Sequence, residues 1–420
     1  MSDAPTYIDS EQLCVGLFVQ LDVSWWDHGF AFSNFKIKDD AQVQALRKLG
    51  LGRLRYDPDR SDCEPLPLSS TTVEDTSPEP ALLQEPTPEE RMREARAVRL
   101  NAVRKRLAEV DRTFVQASQR IKGINVALRN QPDQVLTLAG DVVREMIDAV
   151  LGDDSAALHV INGKSADEHY VHSLNVTVLS MMLGRQLGLD SEDCHTLGLG
   201  ALLHDIGKLD LPSQILLKPA PLTRPEQRLL ELHTEYGLKM GHKLMLDDEV
   251  LSVIHEHHEY CDGSGYPKGL HESGIRRLSR LVCIANRFDN LCNPSHGRVA
   301  LNPHEALVRM FGPERARYDD VALRAFIRCM GVYPPGSLVR LNDGRHGMVL
   351  SMHPSLPLKP TLILYDEAVP KAEACLADLE QEPDLSIAAS VSPKELSVAE
   401  LEYLNPRQQV SYYVDPRRRN

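Results

Sequence analysis

Ten of the sixteen histidines fall between His159 and His258, and their spacing dictates the kind of domain that can hold them. Glu168 and His172 stand four apart in EHYVH, so on a helix they share a face. His204 and Asp205 are adjacent in LLHDIGK, with Lys208 four residues beyond His204. His233 lies in the amphipathic stretch ELHTEYGLKMGHKL. His257 and His258 end another helical stretch, followed at once by Glu259 and a glycine-rich loop. Neighbouring residues on a helix diverge by about 100°. Both members of an adjacent pair can therefore face one site only at a helix terminus or a distorted turn. Gly207 and the loop after His258 supply such exits. The expectation is a helical domain whose helices converge on one centre.

Imidazole and carboxylate donors together suit Fe, Mn, Zn or a similar divalent ion. Six or seven candidates exceed what one zinc needs, so the set predicts a two- or three-metal site. GALLHDIG places His204 and Asp205 among apolar neighbours, where an unpaired charge is costly. A metal offsets that cost. His169 is one position off the Glu168–His172 face, and His195, near a helix start, reads as structural. His255, three before His258, is within reach of the site.

The rest of the 420 residues reads as several pieces. Residues 8–56 alternate short Val- and Phe-rich segments with a helical stretch, DDAQVQALRKLG, as a small α/β or mostly β domain would. Trp25 and Trp26 are expected to give it at least one core residue. Residues 57–90 hold seven prolines and ten acidic residues against one basic residue, the composition of a flexible linker. Residues 91–130 are basic, with apolar positions at Val98, Val103, Leu107, Val110 and Phe114, and read as one long amphipathic helix. Residues 132–330 form the main helical domain. Thr223-Arg224-Pro225-Glu226 and Asn302-Pro303-His304-Glu305 carry capping-box signatures, and Asp190 is placed to cap a further helix. Residues 259–277 form a long Gly- and Pro-rich loop, which inside a helical domain is usually functional. Residues 331–420 offer strands around Asn342-Asp343-Gly344 and at KPTLILYD, a small β-containing appendage.

With HDIGK (204–208), PSQILLKPAPLTRPE (212–226), HTEYG around His233 and HHEYCDGSGYPKGL (257–270), the chain over roughly 160–330 resembles the HD-GYP family of metal-dependent phosphodiesterases. The stretch LCVGLFVQLDVSWWDHGFAFSNFKI resembles the small domain often found ahead of it in bacterial signalling proteins. The resemblance implies a multidomain protein whose main domain is an all-α HD-type bundle. It implies two or three divalent ions, Fe or Mn, and hydrolysis of cyclic di-GMP to pGpG or GMP. By position, His172, His204, Asp205, His233, His257 and His258 correspond to metal ligands, and Glu168 to the added carboxylate of trinuclear members. Lys208 corresponds to the lysine that contacts substrate phosphate, with Asp205 beside it in the catalytic centre. Gly265, Tyr266 and Pro267 form the signature loop, its glycine supplying conformational freedom and its proline rigidity. Asn286 stands where the family has a metal-binding Asp, with Asp289 three residues on. Asn175 stands where the family has Arg, and Arg298 partly replaces an altered basic segment that holds substrate.

Two other readings follow from the departures: a domain that binds metal or nucleotide and signals without turnover, and a phosphohydrolase of another nucleotide. The resemblance also allows a homodimer through 91–130 and signalling partners at the GYP loop. Acidic residues exceed Lys plus Arg by 60 to 47, which argues against a DNA- or RNA-binding surface. No apolar run is long enough to span a membrane. The N-terminus lacks a signal-peptide pattern, and eight scattered cysteines without CxxC read as thiols of a cytoplasmic protein.

Overall fold

A computed structural model describes residues 6–21, 34–48, 53–67, 88–151, 157–161, 168–352, 356, 358–404 and 411–415. The chain divides into two compact units, Met1–Glu89 and Glu90–Asn420. A small N-terminal β-sheet domain, a large helical domain and a small C-terminal β-rich appendage make up the whole.

In the first unit, strands β1 (Thr6–Asp9), β2 (Phe18–Gln20), β3 (Asn34–Lys36) and β4 (Arg53–Asp57) form an antiparallel sheet in the order β1-β4-β2-β3. Helix α1 (Asp40–Lys48) completes it. Ile8, Leu17, Val19, Ile37, Leu46 and Leu54 close its core. Trp25 and Trp26 lie outside the described residues. All eight cysteines are free thiols.

The second unit opens with α2 (Pro88–Asn130), a single 43-residue helix. Two of the five positions of its predicted apolar face are described, and they differ. Val98 is 65% exposed, whereas Phe114, Ile121, Ile124 and Ala127 are buried at three- to seven-residue spacing. The side chains of Val103, Leu107 and Val110 lie outside the described residues. Helix α3 (Pro132–Leu151) follows, and then strand β5 (Ala157–Ile161).

The bundle proper runs through α4 (Glu168–Gln186), α5 (Ser191–Leu203), α6 (Ser213–Leu216), α7 (Arg224–Glu231), α8 (His233–Lys243), α9 (Asp248–Glu256), α10 (Arg277–Cys292), α11 (Pro303–Phe311) and α12 (Asp320–Met330). Local chemistry starts these helices where the sequence marks them. Asp190 accepts from the Asp193 amide, and capping boxes form at Thr223 with Glu226 and at Asn302 with Glu305. Helix α4 buries every side chain from Leu174 to Leu183, and α10 is nearly as enclosed. A helix that is buried all round lies at the centre of its domain, so these two helices form the axis on which the site is built.

The appendage contains β6 (Leu338–Leu341), β7 (His346–Met352), β8 (Thr361–Leu364), β9 (Cys375–Asp378), β10 (Ile387–Ser390), α13 (Val398–Leu404) and β11 (Ser411–Asp415). The turn at Asn342-Asp343-Gly344 joins β6 to β7, with Gly344 at φ 90°. The sheet runs β10-β6-β7-β5-β11, with β8 between β7 and β9. Strand β5 thus comes from the middle of the helical sequence, and β11 returns beside it with Tyr412 opposite Val160. Tyr412 is fully buried in the core of the helical bundle.

Candidate metal centre

The three buried histidines of the cluster lie at helix C-terminal ends. His204 caps α5, His257 caps α9, and His233 follows the last residues of α7 and opens α8. The last carbonyls of a helix have no backbone N–H partner within it. Each of these imidazoles meets one of them, three residues back: His204 Nδ1 to Ala201 O at 2.7 Å, His233 Nδ1 to Leu230 O at 2.7 Å, and His257 Nδ1 to Ile254 O at 2.9 Å. A carbonyl only accepts, so in each ring Nδ1 carries the proton and Nε2 presents its lone pair.

Those lone pairs converge. His233 Nε2 lies 3.2 Å from His257 Nε2, and His204 Nε2 lies 3.3 Å from His172 Nε2. Two acceptors this close repel each other unless a cation lies among them. Asp205 supplies the matching charge. Its Oδ2 is 3.3 Å from His204 Nε2 and 3.5 Å from His172 Nε2, while its Oδ1 is 3.3 Å from His233 Nε2 and 3.8 Å from His257 Nε2. Oδ1 is buried and accepts no hydrogen bond. One carboxylate therefore faces two donor sets: Asp205 with His233, His257 and His258, and Asp205 with His172 and His204. The donors fit a divalent-metal centre, and an orphaned buried carboxylate oxygen is what such a cation would satisfy.

Protonation favours the same use. Burial would raise the Asp205 carboxyl, yet the Lys208 ammonium beside it holds it well below the usual carboxylate range. Burial pushes His233 down to about 4, against the pull of Asp205. Burial likewise lowers His257 and His258 well below the ordinary imidazole value. His258 keeps a rim of exposure, but His257, His233 and Tyr266 enclose its ring enough for desolvation to dominate. These imidazoles are neutral at physiological pH, the form that binds metals.

Two glycines allow this convergence. A Cβ on Gly207 would come within 1.9 Å of His233 O and 2.4 Å of Gly237 N, so the turn after Asp205 packs backbone to backbone on α8. A Cβ on Gly265 would meet Tyr260 N at 2.4 Å and His258 O at 2.5 Å. Gly265 is not among the residues at positive φ, so space, not conformational freedom, demands glycine there. The loop is held from inside by Glu259, whose buried carboxylate accepts from the amides of Lys268 at 2.6 Å and Leu270 at 2.9 Å. Tyr266 stacks on His258, 4.5 Å between ring centroids and 20° from parallel. The Tyr266–Pro267 peptide is cis.

The remaining candidates fall in several places. Lys208 donates to Asp205 Oδ2 at 2.5 Å. Glu168 opens α4, but its side chain lies outside the described residues. Asn286 is buried on α10, its Oδ1 accepting from Asn290 Nδ2 at 2.6 Å. Arg298 is exposed, on a loop where His296 Nδ1 meets Lys218 O at 3.1 Å. His255 turns away to Glu235, 3.1 Å from its carboxylate. Asp289, which the sequence places behind Asn286, instead meets His172 Nδ1 through Oδ2 at 2.6 Å and Asn175 Nδ2 through Oδ1 at 2.7 Å. Its i+3 relation to Asn286 marks it as sharing that helix face, yet only the fold reveals its partners.

Comparison with known proteins finds matches along most of the chain. An HD domain model matches residues 154–321, a domain of unknown function (DUF3391) matches 6–137, and a KOW domain associated with HD domain matches 338–399. The chain is 32% identical over 375 residues to a cyclic di-GMP phosphodiesterase of Pseudomonas aeruginosa, covering 85% of this chain and 84% of that protein. It is 37% identical over 149 residues to a 3'3'-cGAMP-specific phosphodiesterase of Vibrio cholerae, covering 34% of each. Among solved structures, an HDG"Y"P protein from Bdellovibrio bacteriovorus aligns at a TM-score of 0.43 and 15% identity, over 77% of this chain and 98% of that one.

Proposed function

The chain belongs to the HD-GYP family of metal-dependent phosphodiesterases, and on that premise we propose that its substrate is cyclic di-GMP, hydrolysed to pGpG, GMP or both. The observation that carries the reading is the single carboxylate of Asp205, with one oxygen turned to each of two imidazole sets. His172 and His204 would hold one ion, and His233, His257 and His258 another, with Asp205 common to both. Iron or manganese suits these donors. Glu168 and Asn286 are proposed to add a third site or complete these two. Ions bound there supply Lewis acidity toward a phosphodiester oxygen and hydroxide at neutral pH.

The chain's own groups do the rest. Lys208 keeps Asp205 deprotonated and offers its ammonium to the substrate phosphate, where it offsets negative charge that develops on the oxygens. Tyr266 holds the His258 ring by stacking, so the signature loop fixes a ligand while its outer side is left to signalling partners. Arg298, exposed on its loop, is assigned to the substrate. The 91–130 helix is assigned to a homodimer. The setting proposed is the cytoplasm; no helix of the described residues is long and apolar enough to cross a membrane.

The test is direct. Protein prepared without oxygen and supplied with Fe(II) or Mn(II) should linearise cyclic di-GMP, and no turnover with either metal contradicts the reading. Two alternatives have their own observations. The Asn286 carboxamide, engaged by Asn290, favours a signalling module that binds without turnover. The likeness to Vibrio proteins named for 3'3'-cGAMP favours another cyclic dinucleotide. Binding without hydrolysis selects the first, and a substrate panel selects the second.

A further inference from the structure

The hydrogen bonds around His172 do not end at the metal donors. Asp289, fully buried on α10, accepts from three sides: His172 Nδ1 at 2.6 Å, Asn175 Nδ2 at 2.7 Å and Asn293 Nδ2 at 2.9 Å. Asn175, fully buried one helical turn beyond His172 on α4, accepts through Oδ1 from the Tyr412 amide at 3.0 Å. Tyr412 belongs to β11, the last described strand, 237 residues along the chain from Asn175. Its ring lies in the bundle core, 5.9 Å from Phe288 by centroid.

The polarity of this chain of bonds is fixed twice, by the Tyr412 amide and by the Asp289 carboxylate. A backbone amide can only donate, so it must face the oxygen of the Asn175 carboxamide. The NH2 of Asn175 is thereby turned to Asp289. A carboxylate can only accept, so the ring atom facing Asp289 must be a protonated Nδ1. The lone pair of His172 is then left on Nε2, which points at His204 Nε2 and Asp205. The Asp289 carboxylate thus sets the tautomer, and the Tyr412 amide, by anchoring the Asn175 carboxamide, helps set where that carboxylate is held.

We propose that the C-terminal strand is a positioning element of the metal centre: through Asn175 it holds the Asp289 carboxylate in place and so sets the direction of His172. The inference rests on the metal reading for its consequence, but not for its geometry. Asn175, Asp289 and Tyr412 touch neither substrate nor ion; they act through His172. Partners of this kind typically govern metal affinity by about 10–100-fold. The effect belongs to one donor set alone, because His233 and His257 take their orientation from the end carbonyls of α7 and α9.

The experiment has two arms on the full chain and its variants. In the first, nitrogen-15 NMR of the metal-free protein reads the tautomer of His172. The wild type should show a protonated Nδ1. Asn175→Asp, which keeps the acceptor for Tyr412 but turns an oxygen on Asp289, should keep that tautomer but shift the Nδ1–H resonance, as should a chain ending at Val410, which lacks β11. Asn175→Ser, which removes both bonds without adding charge, serves if the carboxylate variant fails to fold by circular dichroism. In the second arm, Mn(II) titration followed by metal content should show one uptake step weakened about 10–100-fold in the variants and another unchanged. An unaltered His172 Nδ1–H resonance together with unaltered Mn(II) uptake overturns the proposal. Absence of Mn(II) uptake by the wild type would instead strike the metal reading, and the NMR arm would still decide the relay.

Discussion

Lys208 Nζ donates to Oδ2 of Asp205, 2.5 Å away, and so neutralises from one side the carboxylate that both imidazole sets share. The pairing is local, three residues apart around the turn after His204, yet it sets the charge of the whole centre. An ammonium at this point leaves Asp205 a weaker competitor for protons and a ready partner for cations.

Replacing the ammonium therefore separates two functions. Lys208→Met should leave metal content intact, since no donor atom is lost. Turnover of cyclic di-GMP should fall roughly 10²-fold, the scale for removing one preorganised charge at a transition state. With the ammonium gone, the Asp205 carboxyl rises, so the acid limb of the activity profile should move to higher pH. Metal analysis beside a pH-rate profile checks both. Loss of metal in step with activity would count against the phosphate-binding role.

The signature loop makes a steric prediction. Gly265→Ala would drive a methyl group to within about 2.5 Å of backbone atoms at Tyr260, Glu259 and His258. The loop must move, taking Tyr266 off the His258 ring. We expect a loss of about 2–3 kcal/mol in denaturant unfolding and weaker metal retention. A wild-type unfolding curve would mean that the loop yields freely.

Much of the site is legible in the chain before its fold. The caps at Asp190, Thr223 and Asn302 depend on residues within one turn, and the structure forms them as the sequence reads. The pairs His204-Asp205 and His257-His258 belong at helix termini because adjacent residues cannot otherwise share a site. The structure places His204 and His257 at C-caps. Close backbone approach leaves no trace in local sequence, so Gly265 reads as a source of freedom when space is what demands it. Asn175 stands out in the sequence only as a departure from the family's pattern, and Asp289 only as the acidic residue three beyond Asn286. Their partners come from α4, α10 and β11, and no periodicity connects those segments. The pairing of β5 with β11 is hidden for the same reason.

Asn286→Asp tests the departure that bears most on catalysis. The added carboxylate would stand beside Asn290 Nδ2, a donor that can satisfy one of its oxygens. The second oxygen becomes available to a cation. We expect tighter Mn(II) uptake and faster hydrolysis of cyclic di-GMP, measured by equilibrium dialysis and by nucleotide chromatography. Unchanged uptake would remove Asn286 from the ligand set.

A pH prediction concerns the ion-pair cluster that fixes α10. Glu314, itself buried, binds Arg287 at 2.6 and 3.0 Å, Arg309 at 2.9 Å and Tyr318 at 2.9 Å. Burial would raise its carboxyl, but Arg287 and its other donors draw it from the usual 4.5 down to about 2. A depressed carboxyl stabilises the fold above its unfolded value, and that contribution fades as pH falls from about 4.5 towards 2. The full effect is roughly 3 kcal/mol. In denaturant titrations Glu314→Gln should be less stable than wild type at pH 7, and the gap should narrow by about pH 3. A gap that stays constant with pH would contradict it.

The most direct test of the shared carboxylate is metal bound per chain, measured on anaerobically reconstituted wild type and Asp205→Asn with hydrolysis of cyclic di-GMP in the same samples. The account predicts at least two ions and turnover in the wild type, with both lost together in the variant. A folded wild type that holds no ion, or a variant that keeps full occupancy and activity, would contradict it.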